Sequence, residues 1–316
     1  MKKALLFRND RLGEFLLNIP ALRAIKETYN SKVTIVVSEY LKDLASCIEY
    51  VDKVLVWNNE KHSLIDILRF SSKLKAEKFD FSISFNPTKE AHLIGFLSRI
   101  PIRAGYDKKL GFLLNHKIKD YKALSLMHEV EYNLELVSLI GAETRNRDLN
   151  IKVSNEVLVQ WDSFLKEKNI TKYMVVHPFT SYDWKSWPMD RYFKLIQELK
   201  DKIEIVIVGG EENKDNNKFD SLVDDLRVFN LVGKTDLLKL SAVLKKAALL
   251  VSNDSGPVHL SCSVNTPVVA LFNTSKQQLS ARRWGPWGDN HSVIESGNIS
   301  DIEVSKVLNK ASEYLF

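Results

Sequence analysis

Short runs of Val, Ile, Leu and Phe alternate along the chain with longer stretches of helical period, the pattern of a parallel sheet covered on both faces. In the first half, residues 4–8, 33–37, 54–57, 81–85 and 102–104 read as strands, with helices expected over 12–29, 40–47, 63–75 and 89–97. A further helix over 128–140 should stop at Gly141. The pattern then restarts with strands over 173–177, 203–208, 228–230, 249–252 and 268–272. This predicts an α/β chain of two units, residues 1–150 and 151–316, joined through the polar stretch 143–155. In such sheets ligands sit beyond the carboxyl ends of the strands, so a cleft between the units is the expected active site.

A length of 316 residues suits two domains, and 45% hydrophobic with 27% charged residues excludes disordered and collagen-like chains. Cys47 and Cys262 stand far apart, which excludes a disulfide framework or a zinc cluster and fits a reducing cytoplasm. The opening MKKALLFRND has too short an apolar run for a signal peptide, and no stretch approaches the ~18 apolar residues of a spanning helix.

The net charge of +5 lies wholly in the first half, where 24 basic face 19 acidic residues, against 21 of each in the second. Arg99, Arg103, Lys108, Lys109, Lys117, Lys119 and Lys122 there meet only Asp107 and Asp120. That surplus suits an anionic partner, the alternative being ordinary solvated surface.

Candidate chemistry gathers at strand ends. In VSNDSGPVHLS, residues 251–261, a buried-type strand ends in Asn253 and Asp254, and small Ser255 and Gly256 open a helix whose free N–H groups suit a phosphate. His259 lies one turn in; the alternative is a plain helix cap and an interior histidine. In HPFTSYDWKSWP, residues 177–188, Thr180, Ser181 and Lys185 offer hydroxyls and a cation to phosphate oxygens. Gly209 and Gly210 allow close ligand approach, and Glu211 can accept from ribose hydroxyls. Glu14, at a helix opening after the first strand, should project over the first sheet; there it serves either as a functional carboxylate or as a favourable charge at the helix start, with Asp10 as a second candidate. The chain has no G-x-G-x-x-G, P-loop, G-x-S-x-G or D-x-D sequence, which argues against nicotinamide, P-loop, esterase and divalent-metal chemistry.

Taken together, RLGEFLLNIPALRAIK, RAGYD, HPFTSYDWKSWP, VGGEE, NDSGPVHLSCSVNTPVVALF and WGPWGDNH resemble, in order and spacing, glycosyltransferase family 9, the bacterial lipopolysaccharide heptosyltransferases. The resemblance implies a GT-B fold: two Rossmann-like domains facing across a cleft, acceptor on the first, nucleotide-sugar donor on the second, and a final helix near 300–314 able to cross back. It also implies an inverting transfer that needs no metal and no cofactor. The donor would be a nucleotide sugar such as ADP-heptose, the acceptor an anionic glycolipid at the cytoplasmic face of the inner membrane, and no nucleic acid would be involved. By motif match Glu14 takes the place of the catalytic base. Thr180, Ser181 and Lys185 take the donor-phosphate loop, Glu211 the ribose contact, and Asp254, Ser255, Gly256 and His259 the sugar-diphosphate site. Arg103, Lys108, Lys109, Lys117 and Lys119 are the expected acceptor contacts.

Two positions depart from the family pattern: Gly13-Glu14 stands where Gly-Asp is usual, and Asn273 replaces a glycine after the LF strand. Both leave open a nucleotide-sugar epimerase of the same architecture and a binding protein without transfer activity.

Overall fold

The computed structural model describes residues 1–214 and 227–316. The chain forms two compact units, Met1–Asp148 and Leu149–Phe316. The first holds strands β1 (Lys3–Phe7), β2 (Lys32–Val37), β3 (Lys53–Val56), β4 (Phe81–Ser84), β5 (Ile102–Tyr106) and β6 (His116–Ile118), in the order β3-β2-β1-β4-β5-β6. The second holds β7 (Tyr173–His177), β8 (Glu204–Ile207), β9 (Val228–Asn230), β10 (Leu249–Asn253), β11 (Val268–Asn273) and β12 (His291–Ser296), in the order β12-β11-β10-β7-β8-β9. All paired strands run parallel. Counted from its own first strand, each sheet reads 3-2-1-4-5-6, the doubly wound order. The strand order reverses beside β1 in the first unit and beside β7 in the second. Ligand crevices belong at those points.

Full burial of the central strands explains why they appear as unbroken apolar runs: β1, β7, β10 and β11 bury nearly every residue on both faces. Two edge strands escape the sequence reading. His116–Ile118 and His291–Ser296 are polar and partly exposed, because an edge strand is covered on fewer sides. The helix expected over 12–29 is two helices, Leu12–Leu16 and Ile19–Tyr29. Pro20 sits in the first turn of the second, where its missing N–H costs nothing; inside a continuous helix it would clash with the carbonyl four residues back.

The supposed linker is tethered. Arg23 Nη1 donates to the carbonyl and side-chain oxygens of Asn146 at 2.7 and 2.9 Å, and Thr144 Oγ1 donates to Glu27 at 2.7 Å. Polar contacts hold this stretch where the scarcity of apolar residues suggested a free connection. The last helix, Val304–Leu315, buries Val307, Ala311 and Leu315 in the second unit's core, beside Trp187 and Tyr192. Among the described residues no helix is long and apolar enough to cross a membrane.

Candidate active site

In the second unit, β7 ends at His177 and β10 at Asn253, neighbours at the point where the strand order reverses. The loop leaving β7 is clamped there. Asn253 Oδ1 accepts from the Trp187 N–H at 3.0 Å while its Nδ2 donates to the Pro178 carbonyl at 2.8 Å. From β11, Asn273 Nδ2 donates to the Trp184 carbonyl at 2.7 Å. The short turn Asp183–Lys185 is thereby placed so that Lys185 Nζ forms an ion pair with Asp254, both side chains about nine-tenths buried. The Asn273 departure therefore has a local role, since a glycine there has no side chain to hold this loop.

Ser255 precedes the helix Gly256–Ser263 but does not cap it. Its hydroxyl turns back to the strands, 3.2 Å from His177 Nδ1 and 2.9 Å from Ser252 Oγ. Burial lowers His177 to about 4, so at neutral pH the ring is uncharged and Nδ1 can accept a hydroxyl proton. With the serine drawn away, its side chain does not cap the start of the helix, and that end keeps its affinity for an anion. His259 is nearly fully buried one turn further on.

Sequence reasoning missed a second cation. Lys276 Nζ lies 4.4 Å and Lys185 Nζ 5.4 Å from the centroid of the Trp184 ring. Lys185 and Asp254 nearly cancel, so Lys276 adds the cation that can meet a diphosphate. No fixed spacing announces Lys276, which lies in the loop after β11.

Thr180 is half-buried and Ser181 exposed on the same loop. Glu211 opens a short turn after β8, exposed and paired with Lys214 at 2.6 Å. The reason for Gly209 before it is packing. A Cβ on Gly209 would fall 2.6 Å from the Phe179 ring, so this glycine lets that ring pack against the strand end.

In the first unit, β1 delivers Arg8 to the reversal point beside β4. Its guanidinium, 2% exposed, spans three groups: Nε donates to the Glu14 carbonyl at 3.1 Å, Nη1 to Asp10 at 3.2 Å and Nη2 to Glu129 at 3.3 Å. Lys122 Nζ reaches the same Glu129 oxygen at 2.6 Å. Asn18 Nδ2 also holds the Glu14 carbonyl, tying the short helix that carries the acid to the turn that follows it. Burial and the neighbouring Asp10 raise the Glu14 carboxyl above its usual range, with Arg8 and Arg11 pulling the other way. The buried arginine thus binds the Asp10 and Glu129 carboxylates, with the Glu14 carboxyl nearby.

The basic surplus is smaller than the sequence count. Lys108 pairs with Asp120 at 3.0 Å and Lys117 with Asp107 at 3.1 Å. Arg103 spends its guanidinium on the Leu113 and Ile100 carbonyls and lies over the Phe96 ring, so the expected acceptor contact is a structural one. Lys122 is buried on Glu129. Arg99, Lys109 and Lys119 remain exposed.

Comparison with known proteins places these features in a family. The pattern of glycosyltransferase family 9 (heptosyltransferase) matches residues 67–313, a span that contains the whole second-unit site but begins after Glu14. Lipopolysaccharide heptosyltransferase 3 of Escherichia coli K12 is 23% identical over 96% of this chain and 90% of its own length. Among solved structures, the family 9 glycosyltransferase of Veillonella parvula superimposes with a TM-score of 0.89 at 20% identity, covering 99% of this chain and 97% of that one. E. coli heptosyltransferase WaaC with ADP does so with a TM-score of 0.78 at 21% identity, over 99% of each chain.

Proposed function

The chain belongs to glycosyltransferase family 9 and is a heptosyltransferase-like glycosyltransferase, and from that premise we propose that it transfers heptose from ADP-heptose to a lipopolysaccharide-core glycolipid, with inversion and without a metal ion. The observation that carries the reading is the buried Lys185–Asp254 pair at the reversal point of the second sheet, beside a helix start that the Ser255 side chain leaves uncapped. Lys185, Lys276 and the helix N–H groups take the diphosphate, Thr180 and Ser181 add hydroxyl contacts, and Glu211 takes the ribose. In the transfer, an acceptor hydroxyl oxygen bonds to the anomeric carbon while the bond from that carbon to the diphosphate oxygen breaks. The hydroxyl proton passes to Glu14 and the leaving electron pair stays on the diphosphate, where the lysines neutralise it. Mass spectrometry of products from a panel of nucleotide sugars and truncated lipopolysaccharide acceptors tests this. A product heavier than the acceptor by one heptose supports it, and release of free sugar alone defeats it.

Lys185→Ala should weaken ADP binding by roughly ten- to a hundredfold, because a lost charge-assisted contact costs about 1.5–3 kcal/mol. Calorimetry with ADP in excess chelator reads this, and equal affinity in wild type and variant removes Lys185 from the site. At the membrane, Arg99, Lys109 and Lys119 are exposed cations of this segment able to meet an anionic surface, each contributing about 1 kcal/mol. Sedimentation with vesicles rich in anionic lipid should fall roughly tens of times for a Lys109→Ala/Lys119→Ala variant at low salt, and for wild type as salt rises. Binding indifferent to both changes marks these lysines as plain surface.

A further inference from the structure

Two loops of the second unit are joined through one tryptophan. Asn273, the last residue of β11, uses both ends of its carboxamide: Nδ2 donates to the Trp184 carbonyl at 2.7 Å, and Oδ1 accepts from the Ser275 N–H at 2.8 Å. The second bond turns the chain as it leaves the strand, the local turn that an asparagine side chain favours. Lys276 follows at once, and its ammonium group lies 4.4 Å from the centroid of the Trp184 ring. The loop after β11 therefore holds Trp184 by its carbonyl and by its ring. On the loop after β7, the Lys185 N–H donates to the Tyr182 carbonyl at 3.0 Å, closing a turn that leaves Lys185 Nζ 5.4 Å from the same ring centroid.

Charge decides what this arrangement can do. Lys185 is paired with Asp254, whereas among the described residues no carboxylate pairs with Lys276. Lys276 is exposed, and an exposed lysine side chain with no partner samples many rotamers. A cation over an indole face favours the held position by about two- to fivefold. The ring also lets two like charges stand near each other, since its π-face is negative toward both. Two ammonium groups gathered at one ring suit two linked phosphates, and a single phosphate needs only one of them.

We propose that Trp184 is a positioning residue that holds Lys185 and Lys276 as a pair of cations for the donor diphosphate, and that this pair makes the site prefer a nucleoside diphosphate to a monophosphate. The proposal rests on the donor reading of this site and adds to it the source of that selectivity. Trp184 acts through the two lysines, and Asn273 sets the turn that brings the second of them to the ring.

Calorimetry with ADP and with AMP, in excess chelator, tests this. Wild type should bind ADP at least about tenfold more tightly than AMP. Lys276→Met should weaken ADP binding roughly three- to tenfold and Trp184→Leu roughly two- to fivefold, each leaving AMP within about twofold of wild type. Because Trp184 acts in part through Lys276, Trp184→Leu should weaken ADP binding distinctly less when Lys276→Met is already present. Trp184→Phe keeps a ring for the cations and should lose less than Trp184→Leu. Losses that multiply independently in the double variant, or full ADP affinity in Trp184→Leu, overturn the proposal. An equal loss for ADP and AMP overturns it too, and puts the nucleobase on the ring in place of the lysines. Transfer from ADP-heptose, measured separately, keeps the two readings apart: transfer without this coupling defeats the role of Trp184 alone, and a wild type that binds neither nucleotide defeats the donor assignment together with it.

Discussion

Glu14→Gln should lower kcat by about 10²–10⁴-fold while leaving ADP affinity near wild type. A sugar hydroxyl is a weak nucleophile, and its proton must pass to a group already in place as the new bond forms. Glu14 is fixed for that task through its own backbone: Arg8 and Asn18 both hold its carbonyl, so the short helix opening cannot drift. Burial and Asp10 raise the carboxyl above its ordinary range, which makes it a stronger base and moves the acidic limb of the kcat profile to higher pH than a free glutamate would give. Removing the negative charge in Asp10→Asn favours ionised Glu14, so that limb should move to lower pH. Glu14→Asp should retain part of the rate. Near-normal kcat in Glu14→Gln with a dead Asp10→Asn transfers the role of base to Asp10, which Arg8 also holds.

Both halves of this arrangement were legible to different depths. The second-unit site was readable because its residues follow directly on fully buried strands: unbroken apolar runs such as Leu249–Asn253 and Tyr173–His177 announce where polar residues emerge. The ion pair between Lys185 and Asp254, 69 positions apart in sequence, is what the parallel pairing of β7 with β10 adds. His177 and Lys276 carry no sequence signal, and Asn253 and Asn273 stand out only as a strand end and a family departure, since each acts through a partner on another strand or loop. In the first unit the basic residues misled. A count of lysines and arginines cannot show that Arg103 is bound to backbone carbonyls, or that Lys122 serves Glu129. Glu129 itself carries no sequence signal, being one more acid in the first turn of a helix. Its importance appears only when β1 brings Arg8 to it across 121 positions.

That buried acid underlies the other large expected effect. Glu129→Met should destabilise the protein by about 3–5 kcal/mol, because Arg8 and Lys122 would stay buried with less to offset them. For a unit of 148 residues this corresponds to a fall in Tm of about 6–20 °C, read as the shift of the first-unit transition in a thermal melt. The cost belongs to the unpaired charges and not to the lost acid itself, so it should shrink when they leave too. A variant with Arg8→Met, Lys122→Met and Glu129→Met together should regain part of the stability, since the buried Glu129 charge and its cations leave together while Asp10 and Glu14 stay behind without Arg8. If stability were the cluster's whole purpose, that variant would be a normal enzyme. It should not be: without Arg8, both Asp10 and the Glu14 turn lose a contact, and the Glu14 carboxyl loses the nearby cation that lowers it. Its acidic limb should therefore move to higher pH and its kcat fall, while ADP affinity in the second unit holds. A triple variant that is stable and has an unshifted pH profile would show the cluster to be packing alone; one that is stable with a shifted profile shows that Arg8 is kept buried in order to set the base.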